Sequence, residues 1–244
     1  MKFTAAVGHF VTGAVVATLP SFAFAATWST TDAWGSWTDG NAIVANQIWG
    51  SGPGPQTLWV NSATNWGVWA DHPNTGGVKS YPNVLYKFGK NISAINTFQS
   101  GFNLSMPGDG VWEAAYDIWD DNKSNEIMIW MDSTGNSDGS GNNKPISYNW
   151  NQSGNAIPTD WNVYIGWNNW NVFRGSNGSN NVYSFVRTSN TTNGAVDIKE
   201  ILNWLRNKGW LGDVKIGDCS FGFEITSSSG GRNFVTNSYW INKN

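Results

Sequence analysis

The chain has 244 residues, a formal net charge of −3, and only 13% charged residues against 15% aromatic. That balance argues against nucleic acid or an anionic membrane as partner, since both select basic patches. Two histidines and one cysteine exclude a disulfide within the chain and any zinc site built on His or Cys ligands.

The N-terminus reads as a secretory signal peptide. Lys2 supplies the positive start, an apolar stretch around 14–17 follows, and Ala23-Phe24-Ala25 fits a small-x-small cleavage site. The expected boundaries are 1–25 for the leader and 26–244 for one secreted β domain. Removal of His9 would leave His72 alone, in the loop-like Asp71-His72-Pro73-Asn74. Beyond the leader, Gly, Asn and Ser punctuate short apolar runs, the spacing of an all-β sandwich.

Residues 111–131 read as a hairpin turning between Asn122 and Lys123. Alternation puts Glu113, Ala115, Asp117 and Trp119 on one face and Trp112, Ala114, Tyr116 and Ile118 on the other. On the return strand Glu126, Met128 and Trp130 share a face. In this register Trp119 opposes Glu126 and Asp117 opposes Met128, so Asp117 and Glu126 are diagonal neighbours. From Asp197, the spacing of Ile198, Ile201, Leu202 and Leu205 predicts one helix packed on the outside of a sheet. Asp197 and Glu200 form its capping box and Gly209 its stop. A third strand carries Cys219, Phe221, Phe223 and Ile225 toward the core. It turns Ser220, Gly222 and Glu224 the other way, with Gly222 leaving room for a ligand. By parity Cys219 is a small buried hydrophobe.

Glu126 and Glu224 stand in apolar strands, where an unpaired carboxylate is costly. A strand with one face on the core and one on a wet cleft removes that cost. Two carboxylates meeting in a cleft, in a chain with 17 Trp, fit hydrolysis of a neutral polysaccharide. One acid protonates the leaving oxygen and a second carboxylate attacks the sugar or activates water. Indole offers a flat surface for the apolar face of a sugar ring. The same features fit a non-catalytic glucan-binding protein that keeps the cleft. Neither reading needs a metal or cofactor.

Several motifs in order resemble glycoside hydrolase family 12, the small retaining endo-β-1,4-glucanases and xyloglucanases. Asn46-Gln47-Ile48-Trp49-Gly50 resembles N-N-x-W-G, with Gln47 replacing the second Asn. Val78-Lys79-Ser80-Tyr81-Pro82-Asn83 resembles V-K-S-Y-x-N. Ala115-Tyr116-Asp117-Ile118-Trp119, with Glu126 through Trp130, resembles Y-D-[IL]-[WF] … E-[IL]-M-I-W. The resemblance implies a jelly roll of two antiparallel sheets with a concave substrate cleft. It implies Glu126 as nucleophile, Glu224 as acid/base, and Asp117 as the aspartate that assists the nucleophile. Trp49 would stack on a sugar, and Asn46, Met128, Trp130, Pro145 and Asn177 would line the cleft. The expected protein is a secreted, monomeric endo-β-1,4-glucanase acting on cellulose, mixed-linkage glucan or xyloglucan.

Overall fold

The computed structural model describes residues 26–139 and 141–244. The expected signal peptide lies outside the described residues. Among the described residues fifteen strands and one α-helix follow in chain order. The first group is β1 (Trp28–Thr30), β2 (Ser36–Asp39), β3 (Ala42–Ala45), β4 (Gln56–Ser62) and β5 (Asn65–Ala70). Then come β6 (Asn83–Asn91), β7 (Phe98–Ser105), β8 (Val111–Asp120), β9 (Asn125–Thr134) and β10 (Asp160–Ile165). The last are β11 (Asn168–Ser176), β12 (Asn181–Arg187), β13 (Asn193–Asp197), α1 (Ile198–Asn207), β14 (Lys215–Ser227) and β15 (Arg232–Lys243).

The strands form two sheets. The smaller runs β1-β4-β5-β15-β7-β13, the larger β10-β11-β12-β9-β8-β14-β6-β3-β2. Between them lies an aromatic-rich core, in which Tyr116, Phe221, Phe223, Phe234 and Trp66 pack against one another or in series. All ladders are antiparallel except one: β12 runs parallel to β9, pairing Val182 with Glu126 and Val186 with Trp130. The chain leaves β9, builds the edge hairpin β10–β11, and returns as β12. That crossover, absent from a pure hairpin reading, makes the parallel step.

The large sheet is covered on both faces at its centre. Ile127, Ile129 and Met131 face the main core, while Met128 and Trp130 join Ala115, Phe173, Val182 and Val186 in a second apolar cluster. This is why β9 reads as an almost unbroken apolar run rather than an alternating one. Helix α1 buries Ile198, Ile201, Leu202 and Leu205. It touches β7 of the small sheet and β10 of the large one. It therefore closes one open side of the sandwich instead of lying on the outside of a sheet. Asp197 caps it by accepting the Glu200 N–H at 3.1 Å. Glu200 turns away from the box and accepts the Gly166 N–H at 2.9 Å. Gly209 follows the helix with φ +67°.

Candidate active site

The β8–β9 hairpin has the predicted register: Trp119 opposes Glu126 and Asp117 opposes Met128. Lys123 takes the left-handed turn position, φ +56°. Nearer the other end a bulge separates Ala115↔Trp130 from Ala114↔Asp132, leaving Met131 as the extra residue. Bulges bend a strand and sharpen its twist. On the other side of β8, β14 pairs Glu224 with Glu113 and Ser220 with Asp117.

These strands open onto a cleft of about 430 Å³, lined by Glu126, Glu224, Glu113, Met128, Trp130 and Asn177 among others. One wall is the glycine loop Asn74–Val78, and another is the segment 142–146. Lys79 is fully buried and holds the glycine loop: its Nζ donates to Gly76 O, and to Gly77 O at 2.9 Å.

Each carboxyl has its own surroundings. Glu126 is half-buried, and its Oε2 accepts the Asn180 Nδ2–H at 3.0 Å. Burial raises its pKa above the ordinary glutamate value, and the Asn180 bond opposes the rise. Glu224 is pushed up to about 7, first by burial and then by the negative charge of Glu126, against a hydrogen bond from Glu113. Asp117 is also raised, by burial, Glu126 and Glu224. Its Oδ2 accepts the Trp119 indole N–H at 2.8 Å, while its buried Oδ1 has no hydrogen-bond partner. Asp117 thus faces Glu126 electrostatically but accepts its one hydrogen bond from Trp119. Among the described residues no cluster of three or more His, Cys, Asp or Glu could hold a metal ion.

Trp49 is 52% exposed and its backbone N–H donates to Lys79 O at 3.1 Å, beside the glycine loop. Two expected lining residues are placed otherwise. Asn46 has no exposed surface; its amide donates to Asp32 O and its Oδ1 accepts from Gln56, so it braces the Trp49 segment from below. Pro145 is buried, and its neighbours Lys144 and Ile146 supply the wall instead. Gly222 also has a different purpose. A Cβ there would lie 2.1 Å from Pro82 O, so the glycine admits a neighbouring backbone rather than a ligand. Gln47 holds φ +41°, and its carbonyl accepts the Tyr81 N–H.

His72 is fully buried with Gln56 and Ser80. Its Nε2 lies 2.9 Å from Gln56 Oε1 and 3.2 Å from Ser80 Oγ. Burial pushes its pKa down to about 4. It is part of the brace under the cleft wall, not of the cleft. Cys219 is likewise a buried core residue. Sequence reasoning set Glu113 aside because its strand already supplies Asp117, and it missed Asn180. Glu113 carried one signal, its parity with Asp117. Asn180 could be found only through the β9–β12 pairing.

The chain matches the glycosyl hydrolase family 12 profile over residues 41–242. It is 34% identical over 192 residues to xyloglucan-specific endo-β-1,4-glucanase A of Emericella nidulans, covering 72% of this chain and 75% of that one. It is 29% identical over 217 residues to endoglucanase S of Pectobacterium parmentieri, covering 76% of each. Among solved structures, the xyloglucanase domain of the Sinorhizobium fredii type three effector NopAA, in complex with cellobiose, is 48% identical with a TM-score of 0.87. That match covers 90% of this chain and 100% of that one. The family 12 xyloglucanase from Bacillus licheniformis superposes with a TM-score of 0.73 at 25% identity, covering 89% and 100%. The jelly-roll sandwich, the two cleft glutamates on the strands that flank β8 in one sheet and the profile match together make this chain a member of glycosyl hydrolase family 12.

Proposed function

We propose that the protein is a secreted endo-β-1,4-glucanase with xyloglucan as preferred substrate, working by retaining double displacement. The observation that carries this reading is the pair Glu126 and Glu224, two carboxyls in one cleft whose surroundings differ. Burial raises both, but Glu224 also feels the charge of Glu126, which favours a protonated Glu224 beside an ionised Glu126. Glu126 is the nucleophile, held by Asn180, and Glu224 protonates the leaving oxygen. Glu224 then takes a proton from the water that frees the sugar. Asp117 assists by placing a neighbouring carboxyl against Glu126.

The substrate preference rests on two supports. Several relatives, including those of Emericella nidulans and Sinorhizobium fredii, carry the name xyloglucanase. In addition, Gly76 and Gly77 present no side chains to the cleft, which leaves width for xylose branches. Trp49 is the stacking platform beyond that wall.

Hydrolysis of xyloglucan, barley glucan and carboxymethylcellulose side by side tests the substrate, with proton NMR of the new reducing ends. The expected result is fastest release from xyloglucan, with the β-anomer appearing first. Faster attack on an unbranched glucan overturns the preference. An initial α-anomer overturns the mechanism.

A further inference from the structure

Glu113 is a cleft carboxyl that the proposed mechanism leaves without a task. It is 2% exposed and lines the cleft. It sits directly across the β14–β8 ladder from Glu224. Its carboxyl is hydrogen-bonded to that of Glu224 and to the side chain of Asn143. An ionised carboxylate has no donor, so a bond between two carboxyl groups requires a proton on one of them.

The surroundings say which. The charged and titratable groups facing the pair are Glu126 from β9, Asp117 on β8 itself, Tyr81 ahead of β6, and Lys144 on the far wall. Lys144 is exposed and its Nζ is bound to Gly154 O at 2.6 Å. Glu113 therefore has acids around it, no paired cation, and almost no contact with water. A charge there is the costlier of the two. Burial and the Glu224 charge hold the Glu113 proton well above the usual carboxylate range.

We infer that Glu113 is a positioning residue that stays protonated through the reaction and donates its O–H to Glu224. The inference rests on the reading of Glu224 as acid/base. In the first step the Glu224 O–H bond breaks and its proton goes to the leaving oxygen, which also keeps the electron pair of the broken glycosidic bond. Glu126 bonds to the anomeric carbon. Glu224 is now a carboxylate, and the Glu113 O–H holds and stabilises that anion. In the second step Glu224 takes a proton from water as the resulting hydroxide oxygen bonds to the sugar and Glu126 departs. The Glu113 proton never leaves. Its bond is strongest when Glu224 is charged, so it favours the form that transfer creates.

The test uses the full protein with Glu113→Leu and Glu113→Gln. The leucine removes the donor, while the glutamine returns a neutral one. Glu113→Leu is expected to lower kcat by about 10- to 100-fold, the cost of a bond to a charged group. It is also expected to move the alkaline limb of kcat/KM up by about half to one pH unit. Glu113→Gln is expected to recover most of the rate and to restore the limb. The wild-type-minus-Glu113→Gln infrared difference at pH 8 is expected to show the carbonyl stretch of a protonated carboxyl. Absence of that band overturns the inference. So does a limb that falls by about a unit in Glu113→Gln, because the wild-type residue would then have been charged. A wild-type profile in Glu113→Leu also overturns it. If Glu113→Leu does not fold, the infrared band and the glutamine variant still decide. Failure of the wild type to cleave any glucan sinks the acid/base reading of Glu224, and the infrared band reports the Glu113 proton independently of that.

Discussion

Glu126 and Glu224 are both glutamates on one sheet face, yet their removal should look different. In the proposed mechanism Glu126 is the attacking group, so Glu126→Gln is expected to lower turnover by several orders of magnitude on every substrate while the fold persists. As the proposed acid, Glu224 is needed chiefly where the leaving group is poor. Glu224→Ala is expected to fail on polysaccharide but to cleave an activated aryl glycoside, which needs little protonation. The small cavity it leaves also admits azide, so product analysis should find a β-glycosyl azide. Recovery of that azide product from Glu126→Ala instead would reverse the two roles. Trp49 offers a separate check. It is half exposed and only its backbone is tied down. Trp49→Ala is therefore expected to raise KM on soluble glucan, by a loss of about 1–3 kcal/mol of stacking, and to leave the melting temperature nearly unchanged. A large thermal loss would show that the indole is holding the wall rather than the sugar.

At the scale of elements, α1 gives the cleanest prediction. Its N-cap Asp197 accepts the Glu200 N–H and also the Gln99 side-chain amide at 2.7 Å. Asp197→Ala should cost about 1 kcal/mol for the cap, read as a lower melting temperature with unchanged kcat, since α1 lies on the flank of the sandwich away from the cleft. The cap, the helix and the β8–β9 register were legible because each is local: a run of some twenty residues contains its own period and its own turn. What lay beyond reach depends on partners far along the chain. Glu113 becomes a neighbour of Glu224 only once β14 pairs with β8 across about a hundred residues, and nothing near Glu113 announces that register. The parallel step from β9 to β12, and with it Asn180 on Glu126, is hidden in the same way. Gly222 was misread because a glycine beside a carboxylate looks like space, and only the sheet shows Pro82 filling it. Asn46 and Pro145 match the pattern of lining residues, but both are buried: Asn46 is tied into the brace, and Pro145 lies behind the wall that Lys144 and Ile146 form.

At the scale of the whole molecule, the buried acids and the buried histidine set opposite demands on pH. Glu113, Glu224 and Asp117 all have folded-state pKa values raised above the unfolded ones. A group of this kind stabilises the fold fully below its unfolded pKa, and that stability is lost as pH rises through the folded pKa. For Glu224 the window runs from 4.5 up to about 7. His72 acts the other way. Its folded pKa is depressed from 6.5 to about 4, so its stability is present above 6.5 and lost as pH falls toward 4. Between pH 4.5 and 6.5 the loss from Glu224 on raising pH roughly offsets the gain from His72, each changing by about 1.4 kcal/mol per unit at most. Glu113 and Asp117 remain uncompensated, so net stability declines as pH rises. The melting temperature is therefore expected to be highest near pH 5 and to fall steadily toward pH 8. Glu113→Gln should flatten that slope, because the amide carries no proton to lose. The catalytic profile should fall over the same range, as Glu224 loses its proton near pH 7. A melting temperature that rises between pH 5 and 8 would mean that His72, not the cleft carboxyls, governs the balance.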